Sequence, residues 1–141
     1  MSNTQAPYTG QCLCGQVKIS TQTLDHHVGA CHCSTCRKWT GGIILSVNCG
    51  SEVQFEGEAN IQCFDSSPWA ERGFCKQCGT HLFYRLLDQP FYAIPVGLFD
   101  DQQDWQLTRE VFIDQRPEFY CFAQRTEQLT GDELFALHGS D

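Results

Sequence analysis

The sequence predicts a mainly β, antiparallel domain with one short helix at its C-terminus. Three observations carry this expectation. Short runs of β-branched and aromatic residues recur along the chain, several with alternating apolar and polar positions. One stretch near the end joins a helix start signal to apolar residues at helical spacing. Ten of the 141 residues are cysteine, and most fall in three tight groups between the strand-like runs.

Taken in order, Val17, Ile19 and Thr21 alternate and predict a strand, and Ile43-Ile44-Leu45-Ser46-Val47 is a β-branched second one. Residues 52–56 and 59–64 flank Gly57-Glu58, a Gly-X pair that suits a type II′ turn, so these two runs are expected to form a hairpin. Val53 and Phe55 would share one face of it, and Ala59, Ile61 and Cys63 one face of the partner. Residues 81–85, 91–94 and 107–113 predict further strands. Thr130-Gly131-Asp132-Glu133 fits a capping box, with Leu134 and Leu137 three apart and Gly139 as the stop. The length suits a single domain over residues 1–141.

A chain of this size has core enough to fold without disulfides. The first residues, Met1 to Pro7, have neither a basic nor an apolar segment of the secretory type. The expectation is therefore a cytoplasmic protein, in whose reducing surroundings cysteines serve first as metal ligands. No apolar run approaches the roughly 18–20 residues of a membrane span, so no membrane association is expected.

The first group is Gly10-Gln11-Cys12-Leu13-Cys14-Gly15, the second Cys31-His32-Cys33-Ser34-Thr35-Cys36, and the third Cys75-Lys76-Gln77-Cys78-Gly79. Thiols one or three positions apart sit on tight turns that aim them at one ion, and a glycine after the last thiol frees the backbone to turn. Cys12, Cys14, Cys75 and Cys78 make two plus two, which closes a tetrahedral zinc site of structural type. Cys31, Cys33 and Cys36 make three, which leaves a fourth position for chemistry unless Cys49, Cys63, Cys121 or His32 fills it. A redox pair at Cys75 and Cys78 is the competing reading, but the βαβ surroundings of a thioredoxin-like motif are missing. Cys49, Cys63 and Cys121 are expected to pack as small hydrophobes. His32 is expected to point to solvent, with a proton relay as its functional alternative.

Nine Lys and Arg against seventeen Asp and Glu give a formal charge of −8, which argues against nucleic acid as a partner. Arg37-Lys38 is the one adjacent basic pair and follows the second group directly. It is the place where an anionic ligand would be held, a solvated basic pair being the plainer reading. Glu71 beside Arg72 is expected in an ion pair before acid–base catalysis.

On these residues the sequence resembles the glutathione-dependent formaldehyde-activating enzyme family, also seen in centromere protein V. The pattern stands here as Gly10 to Gly15, Cys31 to Arg37 and Phe74 to Gly79. Around it lie Glu71-Arg72-Gly73, Leu82-Phe83-Tyr84, Val96-Gly97-Leu98-Phe99-Asp100 and Arg116-Pro117. The likeness runs over about residues 8–122, and all seven cysteines of the two sites match. It implies a β-tent fold and two zinc ions, one structural on Cys12, Cys14, Cys75 and Cys78, the other at the active site on Cys31, Cys33 and Cys36. It also implies a carbon–sulfur lyase that adds glutathione to formaldehyde, giving S-hydroxymethylglutathione.

The expected partners are accordingly a small-molecule thiol of glutathione type and a small aldehyde. The thiol would take the open position of the three-cysteine site as thiolate and attack the carbonyl carbon. The alternative is a non-catalytic binding module in which both zincs are structural. The sequence carries no signal for an oligomeric state.

Overall fold

The computed structural model describes residues 7–99 and 104–138. In chain order the elements are β1 (Tyr8–Gln11), β2 (Lys18–Thr21), β3 (His27–Cys31), α1 (Ser34–Thr40), β4 (Ile44–Asn48), β5 (Val53–Glu56), β6 (Ile61–Ser67) and β7 (Ala70–Cys75). There follow β8 (His81–Leu86), β9 (Phe91–Pro95), β10 (Gln106–Val111), β11 (Glu127–Leu129) and α2 (Gly131–His138). The mainly β class and the C-terminal helix agree with the sequence. The chain divides into two compact units, one of Met1–His26 with Val47–Asp104, the other of His27–Ser46 with Trp105–Asp141.

In the first unit β1, β2 and β5 form an antiparallel sheet in the order β1-β2-β5. Val17, Ile19 and Thr21 are all buried, as their alternation predicts. Strands β6 to β9 form an antiparallel meander. Its core holds Ala70, Leu82 and Ile94, with Phe55, Phe83 and Tyr92 packed as an aromatic trio at centroid distances of 5.1–5.6 Å.

The hairpin expected across Gly57-Glu58 does not form. Val53 and Phe55 do share the half-buried face of β5, but the strand pairs with β2, and Glu58–Asn60 makes a 3-10 turn that leads into β6. Gly57 takes φ +80°, and a Cβ there would overlap the Gln16 carbonyl. The turn therefore exists to press the backbone onto the segment before β2, not to reverse a strand onto its neighbour. Gly57→Ala is expected to destabilise the chain by about 1–3 kcal/mol, from backbone strain added to overpacking. A urea midpoint unchanged by the substitution would contradict this.

In the second unit the strand order is β11-β10-β3-β4. Here the pairing is mixed: β3 and β4 run antiparallel, whereas β10 is parallel to both β3 and β11. Parallel partners need long crossovers, and β10 meets β3 with Val111 opposite Cys31. The run expected to be strand through Ile113 stops at Val111. Phe112 adopts φ 55°, an unusual conformation for a bulky residue. The chain then makes a 3-10 turn over Ile113–Gln115.

Helix α1 lies on the second cysteine group and was not expected from sequence. Cys33 is its N-cap, with its sulfur accepting the Cys36 N–H at 3.3 Å. Gly41 closes it in the left-handed conformation, its N–H donating to the Arg37 carbonyl at 2.8 Å. Helix α2 carries the expected capping box in full: Thr130 Oγ1 accepts the Glu133 N–H at 3.1 Å, and Glu133 Oε1 accepts the Thr130 N–H at 2.8 Å. The stop expected at Gly139 lies outside the described residues.

Candidate metal centres

Two cysteine clusters stand in the structure, one in each unit, with their sulfurs within 4.8 Å of one another in each. The first joins Cys12, Cys14, Cys75 and Cys78. Cys12 and Cys14 sit on the turn between β1 and β2. Gly15 follows in the left-handed conformation (φ +83°), its N–H donating to the Cys12 carbonyl at 3.1 Å. Cys75 ends β7, and Gly79 repeats the device (φ +80°) with its N–H on the Cys75 carbonyl at 2.8 Å. The two turns are thus built alike from distant parts of the chain. Thr80 ties them together, its hydroxyl accepting the Leu13 N–H at 3.1 Å and lying 3.1 Å from the Cys78 sulfur.

The donors fit a tetrahedral metal. Cys12 and Cys14 sulfurs are 3.6 Å apart, and Cys14 and Cys75 sulfurs 3.8 Å. A tetrahedron with metal–sulfur bonds of about 2.3 Å has edges of about 3.8 Å. Backbone N–H groups point at the sulfurs, from Val17 to Cys12 at 3.3 Å and from Gln77 to Cys75 at 3.4 Å. Such donors favour thiolate. The Thr80 hydroxyl, first among several contacts, pushes the Cys78 thiol down to about 5. At Cys14 the Gln16 N–H favours ionisation, yet burial and the three neighbouring thiols win and push it up to about 12. Four crowded thiols cannot all ionise without a cation between them, and a divalent ion meets that demand.

The second cluster is Cys31, Cys33 and Cys36. Cys31 ends β3, Cys33 caps α1 and Cys36 is buried in the helix's first turn. The neighbouring thiols of Cys33 and Cys36, and then burial, hold the Cys31 thiol far above the usual range. This donor set also suits zinc. Among the described residues no further Cys, His, Asp or Glu joins the three.

His32 corrects the expectation that it points to solvent: it is fully buried. Its Nε2 lies 2.8 Å from Glu110 Oε1 and its Nδ1 2.7 Å from Tyr120 Oη. Both ring nitrogens are engaged, so His32 does not act as the fourth ligand. Glu110 is itself buried, and its other oxygen accepts from Thr126 Oγ1 at 2.6 Å and from Gln128 Nε2 at 3.4 Å. Burial works against its charge, but the bonds from Thr126 and His32 hold the carboxyl below its ordinary range. Sequence reasoning missed Glu110 and Tyr120. A glutamate within the strand-like run 107–113 was the available signal for the first.

Arg37 is half-buried and its Nε donates to the His32 carbonyl at 2.9 Å, while Lys38 is exposed. Both lie in the last turn of α1, where cations complement the helix dipole. Glu71 pairs with Arg85 across β7 and β8 at 2.9 Å, not with its neighbour Arg72, whose guanidinium stacks over Tyr84 at 5.0 Å. Of the remaining cysteines only Cys49 packs as expected, fully buried with its thiol pushed up to about 12 by that burial. Cys63 and Cys121 are exposed, which corrects the expectation that they pack.

The sequence profile of the glutathione-dependent formaldehyde-activating enzyme family matches residues 7–115. An uncharacterized lyase of Schizosaccharomyces pombe is 32% identical over 128 residues, covering 90% of this chain and 93% of the relative. A protein of Aspergillus flavus named as a glutathione-dependent formaldehyde-activating enzyme is 32% identical over 103 residues, 67% of this chain. The match covers 54% of that relative, so the chain spans about half its length. A crystal structure of a Rhodobacter sphaeroides protein superposes with a TM-score of 0.58 at 24% identity, over 67% of this chain and 90% of that one, and shares the fold. Among the described residues no helix is long and apolar enough to cross a membrane.

Proposed function

The chain belongs to the glutathione-dependent formaldehyde-activating enzyme family, and from that premise we propose that it is a carbon–sulfur lyase acting on a glutathione-type thiol and a small aldehyde such as formaldehyde. In the synthetic direction the S–H bond breaks, a C–S bond forms and the carbonyl becomes a hydroxyl; the reverse splits the same bond. The observation that carries this is the difference between the two clusters. Four sulfurs meet in one and close it, whereas three meet in the other, which leaves room for an exchangeable ligand.

On this reading Cys12, Cys14, Cys75 and Cys78 hold a structural zinc, and Cys31, Cys33 and Cys36 hold a second at the active site. A zinc ion there supplies the positive charge that keeps a bound thiol deprotonated at neutral pH. The residues of the chain do the remaining work. Cys33 carries its sulfur on a helix cap, so two ligands share one rigid turn. The Cys36 N–H bonded to the Cys33 sulfur favours its thiolate form. Arg37, anchored by its Nε to the His32 carbonyl, and Lys38 beside it offer the local positive charge that an anionic thiol needs on a protein of formal charge −8.

The test is exchange NMR on glutathione mixed with formaldehyde, with the protein far below either substrate. Faster exchange between free glutathione and its hydroxymethyl adduct is the expected result. Exchange at the rate seen in buffer overturns the assignment and favours a binding module with two structural zincs.

A further inference from the structure

The turn that carries the second cysteine cluster is held from outside. His32 and Ser34, the residues on either side of Cys33, both take hydrogen bonds from the chain between Glu110 and Tyr120. The His32 N–H donates to the Val111 carbonyl at 3.1 Å. The Ser34 N–H, one of the donors that a helix start leaves open, donates to Gln115 Oε1 at 2.8 Å. The His32 ring is fully buried between Glu110 Oε1 at 2.8 Å and Tyr120 Oη at 2.7 Å. The rings of Tyr120 and Phe122 pack against it at centroid distances of 5.5 and 6.2 Å. Cys31 and Cys33 therefore flank a residue that is fixed at its backbone and at both ring nitrogens.

Glu110 is the node of this network. In β10 it lies opposite Ala30 of β3 on one side and Gln128 of β11 on the other. One of its oxygens meets His32, and the other accepts from Thr126 Oγ1 at 2.6 Å and Gln128 Nε2 at 3.4 Å. A carboxyl group buried this deeply is tolerated only where its oxygens are bonded. Thr126 and Gln128 thus hold the side chain that holds His32. The family profile ends at residue 115, so Tyr120, Thr126 and Gln128 lie beyond the stretch it matches.

We propose that the segment from Gln115 to Gln128 is a clamp on the three-cysteine metal centre, with Glu110, Tyr120 and Thr126 as positioning residues that set the turn bearing Cys31 and Cys33. The inference rests on the reading of this cluster as a zinc site, and not on the reaction assigned to it. A turn already held in shape loses less freedom when its sulfurs close on a metal. The coupling runs both ways: what the docked segment adds to zinc affinity, bound zinc adds to the docking of the segment.

Tyr120→Phe combined with Thr126→Val removes two hydroxyls from the network and leaves every cysteine and Glu110 in place. Competition of the full chain with a chromophoric zinc chelator reads both zinc affinities, and Cys33→Ser, which keeps the first cluster intact, identifies which is which. The second zinc is expected to be held about tenfold more weakly in the double variant, with the first unchanged. Thr126→Ser keeps the hydroxyl and should match the wild type. Hydrogen exchange supplies the reverse reading: amides of residues 116–128 should exchange about tenfold faster in Cys33→Ser than in the zinc-loaded wild type, with those of β6 to β8 unchanged. Second-site affinity within about twofold of wild type, an equal loss at both sites, or unchanged exchange in the segment overturns the inference alone. Should the double variant fail to fold, the exchange measurement decides by itself. A wild type that binds a single zinc defeats the metal reading and this inference with it.

Discussion

Cys75→Ser is expected to abolish cooperative folding of the first unit at ordinary temperatures. Cys75 is fully buried at the end of β7, and its sulfur lies 3.8 Å from that of Cys14. The cluster it completes joins residues 12–14 to residues 75–78, so the ligands close a loop that no disulfide closes among the described residues. Structural zinc contributes about 10–16 kcal/mol in small zinc-folded peptides, whereas whole domains are stable by about 5–15 kcal/mol. Even partial loss of the site therefore removes most of the margin, and the serine leaves a buried hydroxyl among three crowded thiols. Circular dichroism melts check this, with a strong chelator on the wild type as the matching experiment. A variant that melts within a few degrees of the wild type, with the first zinc gone, would sink the structural role given to this cluster.

Cys33→Ser is the second large effect, and it separates two roles that one residue carries. Cys33 is both a sulfur of the second cluster and the N-cap of α1. Serine is among the best N-cap residues, so its hydroxyl can accept the Cys36 N–H and the helix is expected to stay. The metal site is not, because hydroxyl is a poor replacement for thiolate. The expected outcome is a folded protein with unchanged secondary structure and glutathione–formaldehyde activity lowered by roughly a hundredfold or more. Full activity without the second metal would show that the three thiols are not the reactive centre.

The parts of the molecule legible in the sequence are those set by local geometry. The two turns of the first cluster, their left-handed glycines and the capping box of α2 each lie within a few residues, so spacing alone describes them. The same holds for β2, β4, β8 and β9. What could not be read depends on partners far away. The Gly57-Glu58 signal was a real turn, but β5 takes β2 as its neighbour, and nothing local to the turn names that strand. Helix α1 was hidden because its cap is a cysteine, outside the usual Ser, Thr, Asp and Asn. His32 was misplaced because its partners, Glu110 and Tyr120, are 78 and 88 residues away in the chain. The parallel pairing of β10 beside β3 is what brings Glu110 opposite Ala30, two positions from His32.

The central claim is the partition of seven cysteines into a closed four-sulfur site and a separate three-sulfur site. Native mass spectrometry of the folded wild type and Cys33→Ser tests it most directly, by counting zinc ions on each chain. The account predicts two on the wild type and one on the variant, matching the two clusters. A wild type saturated by a single zinc, or a Cys33→Ser chain that keeps two, would contradict it.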